Sequence, residues 1–307
     1  YRVLPELNVA CSGLSISAKK EEWLALAGDN TNLRLALEEL YKQFKDAPVL
    51  GSLINPEASL GKGSLFELKW EEVGPLLTKA LAGEKSDEVN ELAVVARGVT
   101  HSCKLLASKY SFVYTNPPYL GTGKQDSKLK EYLERNFTDA APDIATAFMK
   151  RISMLLKRGA TFSTVTPQNW TFATNYISFR KSLLEKQAFN LYVKVGEKGF
   201  ESSAAAGAFT VLSIITNIYK ENHIFYGVDV SYLNNPDDKA KALRTLDLSR
   251  VTQEGQKKNP DGRLLLTTSE DVVFLSKISQ SLQGIKSGDD GLSKRTFWEI
   301  YRNQGEW

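Results

Sequence analysis

Asn116-Pro117-Pro118-Tyr119 is the stretch of this sequence whose residue types and order could do chemistry. An exocyclic amine on an aromatic ring is a poor nucleophile, because its lone pair is delocalised into the ring. Two acceptors aimed at its protons favour the tetrahedral geometry in which that lone pair points outward. The Asn116 amide oxygen is one such acceptor and the Pro117 carbonyl can be the other. Successive prolines stiffen the short backbone and remove N–H donors that would compete for those acceptors. Tyr119 offers a ring on which a planar substrate can stack. With a sulfonium methyl donor, transfer to such an amine requires positioning more than a strong base. A base within a duplex would have to be flipped out to reach this site.

A strand and a sheet must hold that tetrapeptide. Ser111–Thr115 (SFVYT) is a β-branched and aromatic run halted by the two prolines, which predicts a buried strand ending at Asn116. Ala160–Thr166, Phe189–Val195 and Ala208–Thr216 are further strand runs, and His223–Val230 is strand-like. Between them lie helical patterns at Lys128–Arg135, Asp143–Lys157 and Tyr176–Gln187. The Ile144, Phe148, Ile152 and Leu155 face of the second reads as a core stripe, and Gly159 as its C-terminal cap. This ordering predicts a doubly wound, Rossmann-like α/β sheet, with ligands bound beyond the carboxyl ends of its strands. Gly196–Gly207 is loop-like and too short for a crossover helix, so the strands on either side of it should pair antiparallel.

Upstream, Lys20–Leu26, Thr31–Phe44 and Glu88–Ala107 have helical spacing, with Leu33, Leu37, Leu40 and Tyr41 on one face. Pro48–Gly63 is turn-rich, with Val49-Leu50 and Leu53-Ile54 suggesting a short strand. Downstream, Asn234–Gly262 is polar and turn-rich, and Ser269–Leu282 is helical. The expected organisation is therefore a mostly helical part over 1–109, a catalytic core over 110–220 and a connector over 221–307.

Composition narrows the class. The 39 basic and 36 acidic side chains leave a charge of +3, which neither demands nor excludes nucleic acid. No apolar run is long enough to cross a bilayer, and no signal peptide is visible, so a membrane partner is not expected. Two cysteines, Cys11 and Cys103, make no disulfide framework and fit a cytoplasmic location. With His101 and His223 they are too few for a zinc site, so no metal is expected. Leu60–Ser64 and Gly121–Lys124 lack the spacing of a phosphate-binding loop, and the second reads instead as a flap with Lys124 available to a DNA phosphate. Trp170 reads as packing, and Lys150, Arg151, Lys157 and Arg158 as a solvated face. Pro236–Lys239 reads as a turn.

At NPPY the sequence resembles the amino-methyltransferases with an Asn/Asp-Pro-Pro-aromatic motif. The resemblance continues through Thr166–Trp170 (TPQNW), the helix containing Phe179-Arg180, and Gly199–Thr216. Together these resemble the adenine-specific DNA methyltransferases of type IIG restriction–modification enzymes, and more strongly the PglX methyltransferases of the BREX phage-exclusion system. The resemblance implies S-adenosylmethionine as cofactor, double-stranded DNA as substrate, the N6 amine of a flipped adenine as methyl acceptor, and other phage-defence subunits as partners. It implies catalytic roles for Asn116, Pro117, Pro118 and Tyr119, and contact of Phe200 with the flipped adenine alongside Tyr119. Gly284–Asp290 and Arg295–Trp298 resemble the passage to a target-recognition domain.

The cofactor half departs from that pattern. The glycine-rich turn and the acidic strand end that hold the cofactor are expected upstream of Tyr1, leaving the sheet incomplete on that side with an open apolar edge. Asn8–Gly13 (NVACSG) matches the turn only superficially, and Gly51-Ser52-Leu53 resembles a segment near the cofactor's adenine. The chain alone is accordingly expected not to bind the cofactor usefully. Two other functions fit NPPY: methylation of another planar group, such as a protein glutamine or an RNA base, and an inactive fragment that binds DNA or a partner.

Overall fold

A computed structural model of the chain describes residues 8–13, 16, 18–59, 87–201, 207–266 and 278–280. The chain divides into two compact units, Tyr1–Thr267 and Thr268–Trp307, and every element named below belongs to the first. Of the helix expected at Ser269–Leu282 only 278–280 are described, and Leu60–Ser64, Gly284–Asp290 and Arg295–Trp298 lie outside the described residues.

Helices α1 (Lys20–Ala25), α2 (Thr31–Phe44), α3 (Ala47–Leu50), α4 (Pro56–Ser59) and α5 (Asp87–Ala107) precede the sheet. The periodic face of α2 is its buried face, with Leu33, Leu37 and Leu40 fully enclosed. Asn30 caps this helix by accepting the Leu33 N–H at 2.9 Å. The short strand expected around Val49–Ile54 is instead helical, as α3 followed by a 3₁₀ turn at Gly51–Leu53. Pro48 occupies the opening turn of α3, where its missing N–H costs nothing, and that placement outweighed the apolar pairs.

A single sheet organises the rest, with strand order β1-β2-β4-β3-β5-β6. Its strands are β1 (Tyr110–Thr115), β2 (Leu156–Pro167), β3 (Ala188–Gly196), β4 (Thr210–Thr216), β5 (Ile224–Asp229) and β6 (Ser249–Thr252). Strands β1 and β2 run parallel, as do β3 and β5. Strand β4 lies between β2 and β3, antiparallel to both, as the short Gly196–Gly207 connection requires. The result is the expected Rossmann-like α/β sheet with a reversed strand inserted. Helices α6 (Ser127–Asn136), α7 (Ile144–Leu155) and α8 (Ile177–Lys186) connect its first three strands.

The core forms where α7 and α8 meet the sheet. Phe189 and Phe225 are buried with ring centroids 5.7 Å apart, and Trp170 meets Phe179 edge-on at 5.9 Å. Enclosing each such ring contributes about 1.5–3 kcal/mol. Trp170 is packing, as its type suggested; its Nε1–H donates to Thr166 Oγ1 at 2.9 Å.

Three other sequence readings are corrected. Strand β1 is an edge and not a buried strand among the described residues: there it pairs with β2 alone, with Phe112 55% and Tyr114 77% exposed. An apolar run is compatible with either position, and neighbours decide it. Gly159 does not cap α7, because β2 already begins at Leu156. Its φ of +78° serves the irregularity where β2 slips against β1 between Tyr110 and Phe112. Asn234–Gly262 is polar but not loop: it carries α9 (Pro236–Thr245), β6 and α10 (Gln253–Lys258). Asn235 caps α9 through the N–H groups of Asp237 and Asp238, so Pro236–Lys239 opens a helix. Lys239 is buried there, donating to the Val195 and Val230 carbonyls at 2.7 and 3.0 Å. The first compact unit runs through these elements to Thr267.

Candidate functional site

Asn116 follows the last residue of β1, at the carboxyl end of a parallel strand. Its carboxamide is exposed and makes no hydrogen bond within the described chain, and the Pro117 carbonyl accepts none either. Both acceptors that the amine chemistry calls for are therefore free. Pro117 is buried, which anchors the tetrapeptide, while Pro118 is exposed.

Tyr119 is half-buried and lines a cavity of about 530 Å³ with Gly121–Lys124, Asp143, Pro167, Asn169 and Gly207–Phe209. Its hydroxyl is buried without a hydrogen-bond partner among the described residues. Burial, with the Asp143 carboxylate adding to it, pushes the Tyr119 phenol up to about 12, so the ring is neutral at physiological pH. The loop after Tyr119 is fastened to the start of α7. Gly121 and Asp143 form a β-bridge, and Thr122 N–H donates to the Pro142 carbonyl at 3.1 Å. Asp143 caps α7 by accepting the Ala145 N–H at 2.8 Å, and its own carboxyl is raised by burial. Lys124 is exposed at the cavity.

The cavity's other wall comes from the turn after β2. Arg180 is buried and donates to the carbonyls of Trp170, Ala173 and Asp261, which fixes the Gln168–Thr171 turn against α8. Asn169 thus presents an exposed side chain to the cavity from a braced backbone. The resemblance had singled out TPQNW and Phe179-Arg180, and the structure shows the bracing they share. Phe200 is half-buried just after β3 and is not among the residues lining this cavity. Phe209, which the sequence reading did not single out, lines it, and nothing in a lone aromatic at a strand start signalled that.

A second cavity, of about 450 Å³, lies on the other side of NPPY in the chain and is lined by Val113–Thr115 of β1. Asn8–Ala10, Ser12 and Ser52 also line it, so the two weakly matching segments, NVACSG and Gly51–Leu53, meet here; Ser12 and Ser52 bond hydroxyl to hydroxyl at 2.9 Å. Phe148, Ile152 and Leu155, read as a core stripe, line it too, and Phe148 and Leu155 are only half-buried. Arg151 contributes to this wall and is 1% exposed, which corrects its reading as a solvated charge. It donates to the Ile54 and Leu106 carbonyls at 3.1 and 2.7 Å, while its Nη1 has no partner among the described residues. Lys150 pairs with Asp139. Phe148 and the mutually bonded Ser12 and Ser52 hydroxyls are what this wall offers a flat heterocycle. Among the described residues no glycine-rich turn and no strand-end carboxylate line this cavity.

Among the described residues no cluster of histidine, cysteine or acidic side chains could hold a metal, and no helix is long and apolar enough to cross a membrane. Cys103 is buried, and its thiol is raised strongly by desolvation, so the His101–Cys103 pair is part of α5's packing.

Known proteins place these features in a lineage. The chain is 28% identical over 167 residues to the adenine-specific methyltransferase PglX of Lacticaseibacillus casei (strain Zhang), covering 54% of this chain and 13% of that protein. It is 28% identical over 193 residues to the adenine-specific methyltransferase BrxX of Escherichia coli O9:H4 (strain HS), covering 62% of this chain and 15% of that protein. The chain therefore matches only a small part of these relatives' length. Among solved structures, a nuclease-deletion mutant of the Type ISP restriction-modification enzyme LlaGI, in complex with a DNA substrate mimic, aligns with a TM-score of 0.40 and 14% identity. That alignment covers 61% of this chain and 20% of that one. The profile of a methylase family matches residues 25–200, more than half of the chain, and takes in NPPY, TPQNW and Arg180. The chain belongs to the Eco57I restriction-modification methylase family.

Proposed function

We propose that this chain is the catalytic part of a DNA methyltransferase that transfers a methyl group to the exocyclic N6 amine of a flipped adenine, within a phage-defence or restriction–modification system. One observation carries the reading. Two free acceptors, at Asn116 and Pro117, stand at a strand end whose preceding residues line one cavity and whose following tyrosine lines another. The cavity beyond Tyr119 takes the base, and the cavity beside Val113–Thr115 takes part of the methyl donor. Asn116 and Pro117 hold the amine's protons, Pro117 and Pro118 keep that geometry rigid, and Tyr119 stacks on the ring.

S-Adenosylmethionine supplies an electrophilic methyl group when bound. Ser52 and Phe148 fit its adenine end. Residues 110–220 carry the chemistry, 1–109 supply the helical cover, and 221–307 lead toward recognition of the DNA target. The reaction proceeds in the cytoplasm on double-stranded DNA and needs no metal. The decisive experiment gives the whole protein tritiated S-adenosylmethionine with unmodified DNA, RNA or protein and identifies the labelled product after hydrolysis. N6-methyladenine from DNA is expected; label in glutamine, in RNA alone or nowhere would overturn the assignment.

A further inference from the structure

Lys239, near the start of α9, is 2% exposed, and its ammonium donates to the Val195 carbonyl at 2.7 Å and the Val230 carbonyl at 3.0 Å. Burying an ammonium is costly unless hydrogen bonds replace its water, so these two carbonyls are what make the position tolerable. They stand at equivalent places. Strands β3 and β5 run parallel, their last partners in register are Lys194 and Asp229, and Val195 and Val230 are the next residues. Lys239 thus ties the two strands together where their ladder stops, at the carboxyl ends beyond which an open α/β sheet binds its ligands. The tie bears on the turn that follows. Gly196, next after Val195, has a φ of +72°, and a Cβ built on it would stand 2.6 Å from Ser231 Cβ and 2.9 Å from Ser231 Cα. A larger residue would push that strand end away. Gly199 lies against the same point, its built Cβ 2.7 Å from Val195 Cγ1. Gly196 is paired with Thr210, the first residue of β4, and Gly207, Ala208 and Phe209 just before it line the cavity that Tyr119 lines. Lys239 is not among the lining residues.

We propose that Lys239 is a positioning residue for methyl transfer to DNA: through Val195 and Gly196 it sets where the β3–β4 connection leaves and rejoins the sheet, and so where Gly207–Phe209 stand in the wall of the Tyr119 cavity. This rests on the methyltransferase reading of that cavity. Lys239 touches neither substrate nor cofactor and acts through the main chain alone. Helix α9, which the sequence reading placed in a connector, then serves the catalytic face instead of merely leading away from it.

The test uses the whole protein and steady-state methyl transfer, with DNA and S-adenosylmethionine each varied in turn and the folded fraction measured by calorimetric unfolding. Lys239→Met keeps the apolar stem and removes the donors. Its kcat/KM for DNA should fall by roughly tenfold to a hundredfold per folded molecule, the range that a misplacement of about 1 Å can produce. Its KM for S-adenosylmethionine should stay within about twofold of wild type, because the cavity assigned to that donor takes no residue from α9. A purely structural role would lower the melting temperature and the folded fraction and leave the constants per folded molecule alone. Gly196→Ala, which displaces the same strand end with Lys239 intact, should show the same split, and it decides the matter where Lys239→Met does not fold. A wild-type kcat/KM for DNA in either folded variant, or a matching rise in the KM for S-adenosylmethionine, would overturn the positioning role and leave the methyltransferase reading standing. If the wild-type protein methylates no DNA, that reading falls, and the role of Lys239 falls with it.

Discussion

Leu120 and Asp143 hold each other from both sides. The Asp143 carboxylate accepts the Leu120 N–H at 3.4 Å, and the Leu120 carbonyl accepts the N–H of Ile144, the residue after Asp143, at 3.2 Å. The residue immediately beyond Tyr119 is thereby tied to the first turn of α7. Tyr119's ring owes its position to this tie as well as to the prolines before it.

Removing the tie should be visible in stability and in pH dependence. Asp143→Ala loses a helix cap and should cost about 0.5–2 kcal/mol. Asp143→Asn keeps an acceptor for the Ala145 N–H and should cost little. Burial raises the Asp143 carboxyl above its ordinary 3.8, so the folded state holds the proton more tightly than the unfolded chain. Its contribution therefore favours folding at low pH and declines as pH rises through the window from 3.8 to the raised value. In Asp143→Asn that decline should vanish, which denaturant titrations across the acid range would show; an unchanged slope would mean the carboxyl is not the group responsible.

Asn116→Ala should abolish methyl transfer while leaving the melting temperature unchanged. The side chain is exposed and makes no bond within the described chain, so its loss should not disturb folding. Losing one preorganised acceptor typically costs about a hundredfold or more in rate. Residual transfer within a few fold of wild type would remove Asn116 from the reaction.

Tyr119 separates ring from hydroxyl. Because its buried hydroxyl has no partner among the described residues, Tyr119→Phe should hold or raise stability, an unpaired buried polar group costing about 1–3 kcal/mol. Transfer should fall only slightly in Tyr119→Phe and strongly in Tyr119→Ala. Equal losses in both would assign the hydroxyl a direct bond to substrate.

The chain alone should bind S-adenosylmethionine weakly, no better than the millimolar range. Its second cavity offers Ser52, Phe148 and Arg151 but no strand-end carboxylate among the described residues. Calorimetry measures this directly, and a micromolar dissociation constant would show that the segments meeting at Ser12 and Ser52 complete a cofactor site. Arg151→Met should separately lower stability, since the buried Ile54 and Leu106 carbonyls each lose a charged donor worth about 1.5–3 kcal/mol.

Local chemistry made much of this protein readable before folding. The helical face of α2, the strands on either side of the loop after Gly196, the antiparallel pairing of β3 with β4 and the packing role of Trp170 all follow from periodicity, proline placement and loop length, which act within a few residues. The acceptor pair at Asn116 and Pro117 is likewise a property of adjacent residues. What the tertiary structure alone decided depends on neighbours far along the chain. Arg151 looks like a solvated charge until the Ile54 and Leu106 carbonyls close around it. SFVYT looks buried until β1 proves to have one partner strand among the described residues, and Phe209 looks like any apolar residue opening a strand until β2 and β3 fix Thr210 beside it. A side chain's type sets what it can do, whereas its burial and its company are sums over contacts that only the folded chain assembles.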